Sequence, residues 1–170
     1  MEKEIINKVA KSPIVTFDLE EYYPAGERLK IDIAQWLYKG IVLKEKEYRS
    51  SLKSYDFSKF KDTYVAIHCS TNAILPSWSI MLLSTYLNQY VKKCVFGSIL
   101  ELEQSIYLDV LHNLDVTPFK NRPLIIKGCS KKNIPETVFL LAIEKLQPYV
   151  KSIFYGEACS SVPLFKKKND

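Results

Sequence analysis

TYVAIHCSTNAILPSWSIMLLSTYLNQYV, residues 63–91, is the stretch on which the fold turns. Thr63–His68 is a short apolar run of strand-forming residues. A polar loop follows, and then Pro76, which suits a first helical turn. Pro76–Val91 reads as a helix. The same alternation runs on downstream. Lys93–Phe96 is a strand ended by Gly97, and Ser98 is an N-cap with Glu101 at capping-box spacing for a helix over Ile99–Leu114. Pro123–Lys127 is a strand, Pro135–Tyr149 a helix and Ser152–Tyr155 a final strand. Strands alternating with helices of this length predict parallel crossover units. The expected fold is α/β, a mostly parallel doubly wound sheet (β-α-β-α-β-α-β from about residue 62). The simplest strand order, by first residue, is 93-63-123-151.

Upstream the pattern is more β-rich. Residues 3–10, with Ile5, Ile6 and Val9, suit a short helix that Pro13 stops. Ile14–Phe17 is a strand running into the acidic residues Asp18, Glu20 and Glu21. Leu29, Ile31 and Ile33 alternate with polar residues, as on a half-buried strand. Lys44–Tyr55 is helix-favouring, with Tyr48, Leu52 and Tyr55 on one face. No linker separates this portion from the rest. The expectation is one domain over 1–170, with residues 1–60 packed on 61–170.

Composition narrows the class. Hydrophobic residues make up 47% and charged residues 25%, as in an ordinary globular protein. No apolar run nears the roughly 20 residues of a membrane span, so no membrane partner is expected. Met1-Glu2-Lys3-Glu4 lacks a secretory apolar region. A cytoplasmic location is expected, where four cysteines are thiols, metal ligands or redox groups rather than structural disulfides. The net charge of +5 gathers at Lys166–Lys168 and Lys131-Lys132. Without an aromatic-interleaved motif this is a solvated tail, not specific nucleic-acid recognition. No glycine-rich phosphate loop, GxSxG or HExxH is present.

The sequence's chemistry gathers on three Cys-Ser dipeptides, at Cys69, Cys129 and Cys159. YVAIHCS-TNAIL-PSW and PLIIKGCS-KKNI-PET share strand, Cys-Ser, loop, proline and helix, which places a cysteine at one address in two crossover units. Open α/β sheets bind ligands beyond the carboxyl ends of the strands, where the strand order reverses. In the order above that point lies between the strands carrying Cys69 and Cys129, about 4.8 Å apart. A turn at Gly156 brings Cys159 back to them. Three thiolates hold zinc, or an iron–sulfur cluster. Glu157, Asp18, Glu20 and His68 are the candidates for a fourth ligand. Cys94, at the start of its strand, reads as a small core residue.

The segments VTFDLEEYYPAGER, WLYKGIVLKEKEYR, IHCSTNAILPSWSIMLL, VFGSILELE, IKGCS and YGEACSSVPLFKKK closely resemble the bacterial family of unknown function numbered 2480. The resemblance covers nearly the whole chain and brings no established activity. It implies cysteines at Cys69, Cys129 and Cys159, valine at the position of Cys94, and a gene neighbourhood of iron–sulfur assembly of the SUF type. Together these predict an accessory protein that binds a metal ion or iron–sulfur species, with iron–sulfur assembly proteins as partners. Two alternatives stand beside it. One is a thiol enzyme of persulfide type using Cys69 or Cys129. The other is a non-catalytic interaction module with buried structural cysteines. The oligomeric state is open.

Overall fold

The computed structural model describes residues 13–128 and 131–168. The expected helix over residues 3–10 lies outside them. In chain order the elements are β1 (Val15–Asp18), β2 (Arg28–Asp32), α1 (Glu45–Ser54), β3 (Tyr64–His68), α2 (Ser77–Leu87), β4 (Lys93–Phe96) and α3 (Ile99–His112). Then come β5 (Pro123–Lys127), α4 (Glu136–Leu146), β6 (Ser152–Glu157) and β7 (Ser160–Lys166). The local chemistry is as the sequence reads. Pro76 and Pro135 cap α2 and α4 in extended conformation. The Ser98–Glu101 capping box closes, with Ser98 N donating to Glu101 Oε2 at 2.7 Å. No helix among the described residues is long and apolar enough to cross a membrane.

The fold is mixed α/β with two mostly parallel sheets, ordered β1-β5-β6-β7 and β2-β3-β4. The single doubly wound sheet ordered 93-63-123-151 does not form. Two of its pairs do, since β3 runs parallel to β4 and β5 to β6. The middle pair is lost for a simple reason. A strand has two hydrogen-bonding edges, and β2 takes the free edge of β3 while β1 takes that of β5. The upstream strands thus seat themselves where the two halves were expected to join. The last strand, β7, returns antiparallel along β6. Its lysine-ended sequence reads as a solvated tail, yet it is a paired strand.

The chain divides into two compact units, Pro24–Ile106 and Met1–Tyr23 with Tyr107–Asp170. They are called here the central and the terminal unit. In the central unit α1 and α2 cover one face of the sheet, with Tyr48, Leu52, Leu83 and Leu87 packed on Ile31, Val65 and Ile67. The first half of α3 covers the other face, Leu102 and Ile106 meeting Ala66. In the terminal unit the second half of α3 and α4 share one core with the sheet, where Tyr107, Leu111, Val138 and Ala142 pack with Phe17, Leu124 and Ile126.

The units repeat one plan. A shift of 59 positions carries Tyr48 onto Tyr107, Leu52 onto Leu111, Phe60 onto Phe119, Pro76 onto Pro135, Tyr90 onto Tyr149 and Gly97 onto Gly156. The backbone agrees. Asp62 and Asn121 both have left-handed φ, 59° and 56°. The Asp62 N–H donates to Tyr90 O at 3.0 Å, and the Asn121 N–H to Tyr149 O at 2.8 Å. Both buried tyrosine hydroxyls are satisfied by carbonyls, Tyr48 by Ser79 at 2.9 Å and Tyr107 by Leu19 at 2.8 Å. This register corrects the reading of the Cys-Ser words. With no gap between strand and proline, Cys69 falls on Gly128, and Cys129 on Ser70. The two thiols are one position apart, not at one address.

Candidate functional site

At the carboxyl end of the terminal sheet, Asp18, Lys127 and Glu157 end three adjacent strands. Lys127 Nζ lies 3.0 Å from Glu157 Oε1 and 3.9 Å from Asp18 Oδ2. The hydrogen bond and charge of Glu157 raise the Lys127 pKa, so the amine stays protonated. Asp18 Oδ1 accepts from the Glu20 N–H at 2.9 Å. Glu20 Oε1 accepts from the backbone N–H groups of Lys131 at 2.7 Å and Lys132 at 3.3 Å. The carboxylates expected as fourth metal ligands are thus held by internal cations and donors. Cys159 is exposed in the turn between β6 and β7. Cys129 lies outside the described residues.

At the same end of the central sheet, His68 is in register with Asp32. Burial raises the Asp32 pKa, but hydrogen bonds from Ser70 and Ala34, with His68 nearby, outweigh it and hold the carboxyl below its usual value. Cys69, half-buried against the central core, has Sγ 3.4 Å from Thr71 Oγ1. Cys94 is half-buried on the same core, with Sγ 3.3 Å from Asn88 Oδ1, and burial pushes its thiol pKa up.

These positions overturn the metal and iron–sulfur reading. Cys69 comes after a strand of one sheet, and Cys159 after a strand of the other. Among the described residues no group of three or more His, Cys, Asp or Glu is placed to hold a metal ion. The physical error was the assumed β3–β5 pairing, which alone made Cys69 and Cys129 neighbours. The persulfide alternative needed a resolving thiol beside the first, and the described cysteines form no cluster. The module with three buried cysteines falls as well, since Cys69 is half-buried and Cys159 exposed. With the cluster gone, iron–sulfur assembly partners lose their structural basis.

What the terminal unit does offer is a sheet face that no helix of the described residues covers. Thr16, Ile125 and Phe154 are register neighbours on it. The buried residues of α4 and of the second half of α3 all serve the opposite face. Thr16 is exposed and Phe154 half-buried, while Ile125 between them is buried. Towards the start of the strands lies an open groove of about 650 Å³, lined by Ile14, Pro123, Phe154, Pro163, Leu164 and Lys166. Leu164 is 54% and Ile14 38% exposed. The central unit shows how such a face is closed. There Ala66 stands for Ile125, Val95 for Phe154, and Ile99, Leu102 and Ile106 of α3 cover them. After Gly97 the chain turns into that helix, whereas after Gly156 it turns into the hairpin of β7. The sequence reading missed this face because it ended at Tyr155. Its signal was present in SSVPLFK, a short apolar run around a proline tolerated on an edge strand.

Comparison with known proteins adds one relation. The profile of the family described as Protein of unknown function (DUF2480) matches residues 3–167. No curated protein and no solved structure matches the chain.

Proposed function

We propose a function for a chain that belongs to the DUF2480 family of proteins of unknown function: it is a binding protein that holds an acidic amphipathic helix of a partner protein in the apolar groove of the terminal sheet. The observation that carries this reading is the difference between the two sheets. One face is closed by a helix with Ile99, Leu102 and Ile106 at helical spacing, and its equivalent is left as an apolar groove. The central unit also supplies a pattern for the partner's charge. Glu103 of the covering helix pairs with Arg28 at 2.7 Å. Around the open groove the cations are Lys166 and, exposed beyond it, Lys167 and Lys168. A partner helix with carboxylates flanking its apolar stripe complements them. Three apolar anchors contribute about 1.5–3 kcal/mol each when buried. After the cost of association this leaves affinity on the order of micromolar.

The test is fluorescence anisotropy of a labelled acidic helical peptide with Leu or Ile at i, i+3 and i+7. The expected result is saturable binding that Leu164→Asp or Ile14→Asp weakens at least ~10-fold, the loss of one buried anchor. Leu140→Asp, on an exposed position of α4, leaves it unchanged. Absence of binding up to ~100 μM, well above the expected affinity, or equal loss in Leu140→Asp, overturns the reading. A dimer in sedimentation that Leu164→Asp dissolves replaces the partner helix with a second copy of the chain.

A further inference from the structure

A groove between paired helices is found in each unit, and the two differ in charge. In the terminal unit it is about 300 Å³ and lined by apolar residues such as Leu108, Leu111 and Leu141 together with His112, Glu144 and Lys145. In the central unit it is about 370 Å³ and lined by Lys46, Arg49, Ser50 and Lys53 of α1 and Tyr86 of α2. The shift of 59 positions relates the linings: Lys46 stands for Ser105, Arg49 for Leu108, Lys53 for His112. The terminal groove thus carries one lysine, Lys145, beside the carboxylate of Glu144, whereas the central groove carries three cations and no acid in its lining.

Those cations stand on one helix face at i, i+3 and i+7. Like charges at such spacing repel and destabilise a helix by a few tenths of a kcal/mol per pair. Only one of them has a partner that offsets this. Arg49 Nε lies 2.8 Å from Glu45 Oε1, and its guanidinium sits over the Trp78 ring, 5.5 Å from its centre. Lys46 and Lys53 make no ion pair among the described residues. The other nearby acid, Glu47, is taken by Lys44 at 3.1 Å. Ser50 and Tyr86 add hydroxyl donors.

We infer that the α1–α2 groove of the central unit is an anion site for a free oligophosphate, a chain of two or three phosphoryl groups. From Lys46 to Lys53 the helix rises about 10 Å, a row of charge longer than one phosphate covers. Arg49 at the middle offers its remaining N–H groups in the fork that suits phosphate oxygens. The inference is independent of the sheet face in the terminal unit.

Isothermal titration of the full chain with tripolyphosphate, pyrophosphate and orthophosphate tests it, with Trp78 fluorescence as a second readout. The expected result is one-to-one binding, at least ~10-fold tighter for tripolyphosphate than for orthophosphate and weakened by salt. The double variant Lys46→Gln/Lys53→Gln loses at least ~10-fold, and it removes repulsion from α1 rather than a fold contact. Arg49→Lys loses binding as well. The triple variant Lys166→Gln/Lys167→Gln/Lys168→Gln binds as the wild type does. Undiminished binding in the double variant, equal loss in the triple variant, or no saturable binding of tripolyphosphate overturns the assignment.

Discussion

The central and terminal units are two versions of one plan, and they differ least where they are buried. Tyr48 and Tyr107, Phe60 and Phe119, Asp62 and Asn121, Tyr90 and Tyr149 hold corresponding seats. Their backbone hydrogen bonds correspond as well. The differences lie in the element after the last parallel strand and in the charge of the helix groove. After it a helix closes one sheet, and in the other a hairpin follows and an apolar groove stands open. Neither difference is demanded by the shared core, which is why both point to binding rather than to folding.

The strongest way to break this contrast is to loosen the closing helix. Arg28 donates to Glu103 at 2.7 Å, to Pro24 O at 2.8 Å and to Gly26 O at 2.5 Å, and lies over the Tyr64 ring. Both side chains are nearly buried, at 10% and 7% exposure. Glu103→Ala removes the carboxylate paired with the guanidinium, and urea unfolding is expected to show a loss of about 3–5 kcal/mol. In the terminal unit the register seat of Arg28 holds Ile14, beside the open groove. A loss below about 1 kcal/mol, the range of surface pairs, would mean that α3 does not close the central sheet through this pair.

Next in size are the helices on the other face. Leu83 and Ala142 occupy equivalent seats and are both fully buried. Leu83→Ala is expected to cost about 2–5 kcal/mol by opening a cavity. Ala142→Leu is expected to cost about 1–3 kcal/mol by overpacking. The opposite signs of volume change test whether each core has been fitted to its own side chain. If Ala142→Leu stabilises the chain, the terminal core holds space that the buried positions do not reveal.

Local structure was legible in the sequence, and pairing between distant strands was not. The apolar runs, the two prolines, the Ser98–Glu101 box and the helix with Tyr48 and Leu52 on one face all stand where their chemistry puts them. Strand partners are set by which edge is filled first in space, and nothing in Ile14–Phe17 or Leu29–Ile33 states which downstream strand each will meet. One wrong neighbour, β3 against β5, was enough to create a cysteine site. The Cys-Ser words misled for a second reason. A dipeptide match tolerates a slip of one residue, whereas Pro76 and Pro135 fix the register. The apolar groove escaped because the last strand ends in lysines, which read as tail.

A smaller effect tests the equivalence of the turns before β3 and β5. Asp62 and Asn121 sit in the left-handed region, where a short polar side chain is tolerated. Replacing either by Ala is expected to cost about 1–2 kcal/mol, and Gly about nothing. Matching losses in the two units, read as shifts in urea midpoint, support one backbone plan. A clear loss at one position only would separate them.

The smallest effect is a pH dependence that belongs to the central unit. Asp32 ends β2 with its carboxylate accepting the Ala34 N–H at 2.9 Å and the Ser70 N–H at 3.0 Å. These bonds hold its pKa below the ordinary value despite burial. A carboxyl lowered on folding adds stability above its unfolded pKa of about 3.9, and that stability fades as pH falls through the folded value. The difference in urea midpoint between wild type and Asp32→Asn is therefore expected to be level from neutral pH to about pH 5 and to shrink below about pH 4. Asp18 fills the same register seat in the terminal unit but faces Lys127 in place of His68. If the two acid limbs superimpose, the loop after β3 is not tied down through Asp32. The carboxyl ends of the two sheets would then differ only in the side chains they carry.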